Sequence, residues 1–254
     1  MPTKDSLGDR MKKYYEDAFR HMLPRRMPVV LRVDGKAFHT YTRGLKKPYS
    51  TELMSAMDVV ALRLCENIQG AKLAYVQSDE VSVLIRNDDT FQTDIWLSGN
   101  IQKMASVAAS IAAVTMTLES SNIFGKVKPA YFDARLFVVP ENDVVNYFLW
   151  RQQDATRNAV QMLGQANFPH KELQGKSNKE LQELLFQKKK INFDKEPTGF
   201  KRGRCIVRVP TVVPTRNGDI TKNVWSIDSE IPIFSQDREY VGSRTKMVDQ
   251  EETT

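Results

Sequence analysis

The chain has 254 residues, of which 41% are hydrophobic and 27% are charged. This composition is ordinary for a soluble globular protein, and the length allows one large domain or two small ones. The formal net charge of +6 favours a polyanionic partner, although many basic proteins bind no nucleic acid. Cys65 and Cys205 are far apart, which excludes a disulfide framework and a cysteine-based zinc site.

Nothing in the sequence predicts a membrane segment. The first residues are polar and lack the apolar core of a signal peptide. The most apolar run, residues 104–118, is too short for a bilayer, which takes about 20 residues. Its many small side chains are typical of a helix that packs closely on a sheet. We therefore expect a cytoplasmic protein with reduced cysteines and no membrane partner.

The first half of the chain alternates between helix and strand patterns. A mostly polar helix is expected over residues 9–22, and a β-branched run that ends at Asp34 predicts a buried strand. A second helix begins with Ser50 or Thr51 as its cap and ends at Gly70. Two strands, a long alanine-rich helix and a last strand follow, at residues 73–77, 81–85, about 98–119 and 131–139.

The order strand, helix, strand, strand, helix, strand is that of a ferredoxin-like sheet. We therefore predict an α+β fold whose first domain, residues 1–140, is an antiparallel sheet with two helices on one face. Residues 141–254 are predicted to form a C-terminal region of helices and a β-hairpin. A capping box of Ser177 and Glu180 begins one of these helices, and Asn217-Gly218 is a strong hairpin signal.

Carboxylates stand at two strand ends in this prediction. Asp34 follows the first strand, and Asp79 and Glu80 lie at the tip between the second and third strands. Mg²⁺ prefers hard oxygen ligands, typically one or two carboxylates together with phosphate oxygens and water. An acid at a strand end is more often a solvated turn residue. The pattern by itself therefore leaves a metal site and an ordinary turn both open.

Four sequence blocks, in order, resemble the tRNA-His guanylyltransferase family, enzymes that extend RNA in the 3′-to-5′ direction. The blocks are RVDGKAFH at residues 32–39, QSDE at 77–80, FDAR at 132–135 and YFLWRQQD at 147–154. The similarity covers roughly residues 10–210. It implies a palm-like catalytic domain related to that of polymerases and nucleotide cyclases.

The resemblance assigns roles by position. Asp34, the Gly35 carbonyl and Asp79 would hold two Mg²⁺ ions, and the catalytic acids would be Asp34, Asp79 and Glu80. The backbone from Gly35 to His39 would wrap a triphosphate, with His39 stacked on or hydrogen-bonded to the nucleotide. The implied nucleotide contacts are Gly35, Lys36, Ala37, Phe38, His39, Lys47, Ser78 and Lys103. Whether Glu80 touches a metal stays open.

The implied chemistry begins with activation of a tRNA 5′ end by ATP or GTP. The 3′-hydroxyl of an incoming nucleoside triphosphate then attacks the activated phosphate. Positioning and metal charge supply most of the acceleration in such transfers, so no side-chain nucleophile is required.

One departure from the family pattern bears on the substrate. Eukaryotic members follow the Trp-Arg-Gln block with His-Ile-Asn-Asn, whereas this chain has Thr156-Arg157-Asn158-Ala159. In this respect the chain resembles the guanylyltransferase-like proteins of bacteria and archaea, which repair 5′-truncated tRNAs by templated addition. We therefore expect templated repair, with G addition to tRNA-His as the other reaction.

Basic residues of the C-terminal part predict an RNA contact surface, because such groups bind phosphates without reading sequence. They form two clusters, and two further cations lie on the helix that carries Trp150. The predicted RNA contacts are Arg151, Arg157, Lys188, Lys189, Lys190, Lys201, Arg202 and Arg204. The family resemblance also implies a homotetramer.

Two other functions remain open. A nucleotide cyclase, or another palm-type enzyme of small molecules, would use the same aspartates but would need no basic C-terminal surface. A non-catalytic RNA-binding module would need neither aspartate. The sequence leaves open the physiological tRNA, the activating nucleotide and the oligomeric state.

Overall fold

The computed structural model describes residues 6–90, 92–215 and 218–245. Its strands are β1 (Val29–Gly35), β2 (Ala71–Gln77), β3 (Glu80–Ile85), β4 (Phe132–Val138), β5 (Arg204–Thr215) and β6 (Gly218–Asp228). They form one antiparallel sheet in the order β4-β1-β3-β2-β5-β6. The first four strands have the spatial order of a ferredoxin-like sheet, so the predicted α+β fold is confirmed.

Helices connect and cover the strands. They are α1 (Leu7–Met11), α2 (Phe38–Tyr41), α3 (Thr51–Asn67), α4 (Ile101–Phe124), α5 (Val144–Asn167), α6 (His170–Leu173), α7 (Asn178–Lys189), α8 (Thr198–Arg202) and α9 (Glu239–Thr245). After α1 the chain continues as a π-helical turn and a 3₁₀ turn that ends at Phe19. The helix predicted over residues 9–22 is therefore present but irregular and shorter.

Local capping signals account for several helix boundaries. The Ser50 side chain accepts the Leu53 N–H at 3.2 Å at the start of α3, and Asn100 does the same for Lys103 at 3.0 Å at the start of α4. The capping box of Ser177 is present at the start of α7. Each cap satisfies an N–H group that the first helical turn leaves without a partner.

Helices α3 and α4 cover one face of the sheet, as predicted. Alternate side chains of β1, such as Leu31 and Val33, are fully buried beneath them. Ala108 and Ala112 of α4 are also fully buried, and their small side chains allow a close approach. By length and composition alone α4 could cross a membrane. In the fold it packs against α3 and β4.

The opposite face of the sheet is covered by α5 and by the segment that runs into α9. Leu73 and Leu84 lie on this face, beneath Phe148 of α5 and Phe234 of the C-terminal segment, and all four are fully buried. This second layer was not part of the predicted two-helix arrangement. The sheet is thus sandwiched between helices.

The hairpin β5–β6 extends the same sheet. Strand β5 pairs with β2 only over residues 204–206, whereas it pairs with β6 along its whole length. The β-hairpin predicted in the C-terminal region is therefore confirmed, although Asn217 at its tip lies outside the described residues. Because both predicted regions share one sheet, a domain boundary at residue 140 stays a prediction.

One buried amide ties α5 to the C-terminal segment. Gln152 is 4% exposed; its Nε2 donates to the Pro232 carbonyl at 2.9 Å, and its Oε1 accepts the Phe234 N–H at 2.8 Å. The side chain replaces the backbone partners that this irregular segment lacks. Its loss would leave two buried polar groups without a partner, at a cost of about 1–3 kcal/mol each.

We therefore predict that Gln152→Ala lowers the free energy of unfolding by about 2–4 kcal/mol. Urea unfolding followed by circular dichroism measures the loss. The matched control is Gln153→Ala, because Gln153 is the exposed neighbour on the same helix. Equal stability of the two variants would contradict the assigned role of Gln152.

Candidate active site

A two-residue turn brings the candidate acids together. Gln77 of β2 pairs with Glu80 of β3, so Ser78 and Asp79 alone form the connection. Ser78 has a positive φ of 48°, which a turn this tight requires at that position. Glu80 in turn lies directly opposite Asp34 of β1. The predicted convergence of Asp34, Asp79 and Glu80 is therefore present.

The end of β1 is tied to this turn and bends away sharply. The Gly35 N–H donates to the Asp79 carbonyl at 3.1 Å, and the Lys36 N–H donates to the Tyr131 carbonyl at 2.8 Å. A Cβ atom on Gly35 would lie 2.3 Å from the Phe38 ring, so only glycine fits at this position. Ala37 follows with φ 55°, outside the region that most residues adopt.

The segment after Gly35 forms α2 rather than an open loop. The Phe38 side chain is buried in the core against Tyr41 and Phe132, so only its backbone is left for the predicted nucleotide contact. His39 is exposed and lines a cavity, where a ring can meet a nucleotide. These placements agree with a backbone that wraps a ligand.

Burial, helped by the neighbouring charges of Asp34 and Glu80, raises the pKa of Asp79 to about 6, against a usual value of 3.8. Backbone and Ser78 hydrogen bonds oppose this shift. Neither Asp34 nor Asp79 forms an ion pair with a described residue. A cation would relieve the cost of a charged, half-buried acid.

Glu80 differs from the two aspartates because it has a permanent partner. Nε and Nη2 of Arg151 donate to its two carboxylate oxygens, each at 2.8 Å. The Arg151 side chain is only 6% exposed. The prediction that Arg151 contacts RNA is therefore wrong, because its guanidinium group is buried in an ion pair with Glu80.

A cavity of about 600 Å³ opens beside Asp79, between the start of α3 and the second half of α5. Ser78, His39 and Lys47 line it, and their contacts with a nucleotide stay predictions. Further residues that line it are Arg43, Lys46, Tyr49, Ala155, Asn158, Ala159, Met162, Phe200 and Arg204. The volume suits a nucleoside-sized ligand.

Two elements distant in sequence form the aromatic part of the cavity wall. The Tyr49 and Phe200 ring centroids lie 4.5 Å apart with their planes inclined at 32°. Beneath them Arg204 donates to Asp58 at 2.5 Å and to the Gly199 carbonyl at 3.1 Å. Arg204 is only 3% exposed, so its predicted contact with RNA is wrong.

Two further lysines differ from their predicted roles. Lys201 is 8% exposed and donates to the Asp194 carbonyl, which contradicts an RNA contact. Lys103 lies at the start of α4, whose other end reaches the active site through the contact of Phe124 with Tyr41. About 30 Å of helix separates the two ends. Within one chain Lys103 therefore lies away from the carboxylates, and its predicted nucleotide contact is not formed there.

The remaining predicted RNA contacts lie at the surface. Arg157, with a side chain 58% exposed, pairs with Asp154, and Lys188 pairs with Glu172. Lys189 and Lys190 end α7, and Arg202 ends α8. Exposed pairs of this kind are weak, so these cations can exchange partners.

Sequence reasoning missed two arginines near the acids. Arg32 lies opposite Arg135 across β1 and β4, two residue pairs from Asp34, and on the same face of the sheet. Arg135 also donates to Asp133 at 2.8 Å. Both stood inside the family blocks, and the alternation of β1 was the signal that places Arg32 beside Asp34.

The burial of Asp79 has a consequence for stability. Because its folded pKa of about 6 lies above its usual 3.8, ionised Asp79 destabilises metal-free protein above pH 6 by up to about 3 kcal/mol, and the cost vanishes as pH falls to 4. We predict that Asp79→Asn is more stable than the parent protein at pH 7.5 in EDTA, and that this gain shrinks toward zero at pH 4.

Urea unfolding at a series of pH values measures this gain. The control is Asp94→Asn, because the Asp94 side chain is 83% exposed and pairs only at the surface with Arg25. A gain for Asp79→Asn that did not change with pH would show that the carboxylate charge is not its cause.

Comparison with known proteins shows which family this chain resembles in sequence and fold. The family model for tRNAHis guanylyltransferase matches residues 8–140, and the model for the Thg1 C terminal domain matches residues 142–252. The tRNA(His) guanylyltransferase of Debaryomyces hansenii is 28% identical over 211 residues, covering 75% of this chain and 76% of that protein. That of Candida glabrata is 26% identical over 198 residues, covering 70% and 81%.

Solved structures agree. A bacterial tRNA(His) guanylyltransferase (Thg1)-like protein in complex with ATP superposes with a TM-score of 0.86 and 44% identity, covering 95% of this chain and all of that one. The complex of such a protein with GTP gives 0.82 and 42%, covering 96% of this chain and all of the other. With two family models that together span most of its length, this chain belongs to the tRNAHis guanylyltransferase family of nucleotidyltransferases.

Proposed function

We propose that this chain adds nucleotides to the 5′ end of a tRNA in the 3′-to-5′ direction, and that its main reaction is templated repair of 5′-truncated tRNA. One observation carries the proposal. Asp34 and Asp79 meet at adjoining strand ends, form no ion pair with a described residue, and Asp79 lines a nucleotide-sized cavity. Unpaired, half-buried acids beside such a cavity are expected where cations and phosphates bind.

The available ligands fit Mg²⁺. Asp34 and Asp79 offer two carboxylates and Gly35 a backbone carbonyl, all hard oxygen donors. Among the described residues, no group of three or more acids, histidines or cysteines is arranged to hold a metal ion by itself, so phosphate oxygens and water would supply the other ligands. When bound, two Mg²⁺ ions would neutralise the triphosphate and lower the pKa of the attacking hydroxyl.

We assign the activating nucleotide to the cavity. Tyr49 and Phe200 present aromatic faces for a base, while Lys46, Lys47 and Arg43 line the same cavity and can balance phosphate charge. The related bacterial proteins were solved with ATP and with GTP, which supports both as substrates here. The small residues Ala155 and Ala159 leave room on the α5 side.

The open side of Asp34 suits the other phosphates of the reaction. Arg32 and Arg135 lie opposite each other two residue pairs from Asp34, on the face of the sheet that also carries Glu80. Two guanidinium groups at this position can orient a triphosphate or an RNA 5′ end. The cavity and this arginine pair would thus serve different nucleotides on the two sides of the acids.

Exposed cations of the C-terminal region would bind the body of the tRNA. Arg157, Lys188, Lys189, Lys190 and Arg202 are the predicted contacts that the structure leaves at or near the surface. Their contribution would be electrostatic and salt-dependent, without sequence readout.

We also propose that the chain self-associates, as the family resemblance implies. The exposed large apolar side chains include Tyr15 and Phe19 after α1, and Val114 and Leu118 on α4. Apolar groups that cluster at a surface commonly mark an interface between subunits.

The central experiment incubates purified protein with labelled 5′-truncated tRNA, Mg²⁺, ATP and GTP. We predict lengthened product with the parent protein and a loss of at least about 1000-fold in rate for Asp34→Asn and for Asp79→Asn, because each removes a carboxylate from the cation site. Asp94→Asn is the matched control and should keep the parent rate.

Product length with different templates separates the reactions. Addition that follows the opposite strand supports repair, whereas a single G on full-length tRNA-His supports maturation. The absence of product with every tRNA would contradict the proposal. The remaining functions would then be a nucleotide cyclase or a non-catalytic RNA-binding module.

The cavity assignment makes a separate prediction. Phe200→Ala should weaken ATP binding about 10-fold, because stacking of a base on an aromatic ring contributes about 1–3 kcal/mol. Titration with a fluorescent ATP analogue measures this. The control is Phe186→Ala on α7, where the side chain is 49% exposed and outside the cavity. Equal affinities for both variants would place the nucleotide elsewhere.

A further inference from the structure

Asp34, Asp79 and Glu80 gather at the candidate site, and within the described part of the chain only Glu80 forms an ion pair with a basic side chain. Glu80 lies directly opposite Asp34 in the sheet, so their side chains share one face. Two carboxylates in such a pair repel each other. Arg151 removes this repulsion by donating to both oxygens of Glu80 at 2.8 Å, with side chains only 6% and 12% exposed.

Arg151 is itself held on two sides. A second ion pair joins it to Asp154 at 3.2 Å, one turn later on α5, and its guanidinium carbon lies 4.5 Å from the centroid of the Trp150 ring. A planar fork that is fixed in this way fixes the plane of the carboxylate that it binds. The direction of Glu80 is therefore set by α5 and not by the turn.

The same helix also contacts the sheet and the cavity. One turn before Arg151, the Tyr147 hydroxyl shares a buried 2.8 Å hydrogen bond with Ser82 of β3. About two and three turns after it, Asn158 and Met162 of α5 line the cavity. Helix α5 is thus joined to β3 at two polar contacts and forms a cavity wall.

We propose that Arg151 is a positioning residue for the transfer reaction, which it serves through Glu80. It neutralises Glu80 and holds that carboxylate away from the cations, so that Asp34 and Asp79 alone are left to bind them. This inference rests on the proposed function for its rate measurement but not for its binding measurement.

Loss of the arginine has a specific consequence. In Arg151→Gln, Glu80 becomes an unpaired acid opposite Asp34, and it competes with Asp79 for the cation. Cation binding is then kept or strengthened, but the reaction slows. The reason is that Glu80 draws the cation away from the position between Asp34 and Asp79 that the transfer requires. If Arg151 had only a structural role, its loss would lower cation binding and the reaction rate together.

The test compares Arg151→Gln, Glu80→Gln and the double variant. Mn²⁺ binding to nucleotide-free protein is followed by electron paramagnetic resonance, and 5′ addition is followed in single turnovers. We expect Arg151→Gln to slow addition about 10-fold or more without weakening Mn²⁺ binding. Glu80→Gln should change Mn²⁺ affinity by less than about threefold, and the double variant should recover at least about threefold of the rate lost in Arg151→Gln.

Matched variants control for folding. Arg63→Gln on α3 removes an exposed pair with Glu66, and should leave binding and rate unchanged. Arg151→Lys keeps the charge but loses the two-point contact, so its rate should lie between those of the parent and Arg151→Gln. Circular dichroism melting establishes that each variant is folded; if Arg151→Gln is not, Arg151→Lys and Glu80→Gln carry the same comparison.

Two results would overturn the inference. Weakening of Mn²⁺ binding in Glu80→Gln as large as in Asp79→Asn would make Glu80 a ligand. A double variant as slow as Arg151→Gln would show that Arg151 acts apart from Glu80. Failure of the parent protein to extend any tRNA would refute the proposed function instead, while the Mn²⁺ titrations would still decide the role of Glu80.

Discussion

The turn between β2 and β3 contains only Ser78 and Asp79, and the geometry of the site depends on this shortness. A two-residue connection leaves no freedom in the register of β2 and β3, so Glu80 must lie opposite Gln77, and the pairing of β3 with β1 places it opposite Asp34 on its other side. The hydrogen bond from the Gly35 N–H to the Asp79 carbonyl then joins the turn to β1. One inserted residue would move Glu80 to the other face of the sheet and away from Arg151.

Local signals were sufficient for the order of the elements in the first half and for several of their boundaries, although the helix predicted over residues 9–22 is irregular and shorter. Capping side chains such as Ser50 act within three residues, and the alternation of β1 is visible in a single window, so both can be read from sequence. The burial of Arg151 and Arg204 could not be read in this way. Their acidic partners lie 71 and 146 residues away along the chain, and a cation looks alike in sequence whether its partner is an acid or an RNA phosphate.

The same limit applies to the cavity. Tyr49 and Phe200 come from opposite ends of the sequence and meet only after β5 has joined the sheet beside β2. The departure at residues 156–159 gains meaning in this setting. Asn158 and Ala159 line the cavity, whereas the Thr156 hydroxyl donates back to the Gln152 carbonyl within α5. The stretch that separates this chain from the eukaryotic pattern is therefore part of the cavity wall. The identity of 42–44% to the bacterial structures agrees with that difference.

The attachment of the C-terminal segment to Gln152 also sets the order of events during synthesis. Leu73 and Leu84 leave the ribosome early, but Phe234, which covers them, is among the last described residues to emerge. At about 5–20 residues per second, roughly 7–30 seconds pass between the synthesis of Leu84 and that of Phe234, and until then α5 covers this half of the sheet only in part. A nascent chain in that interval exposes a flat apolar surface, which is a substrate for chaperones. The apolar face of the newly made protein is therefore fully covered only after the segment that contains Phe234 has been synthesised, and the risk of aggregation falls at that point.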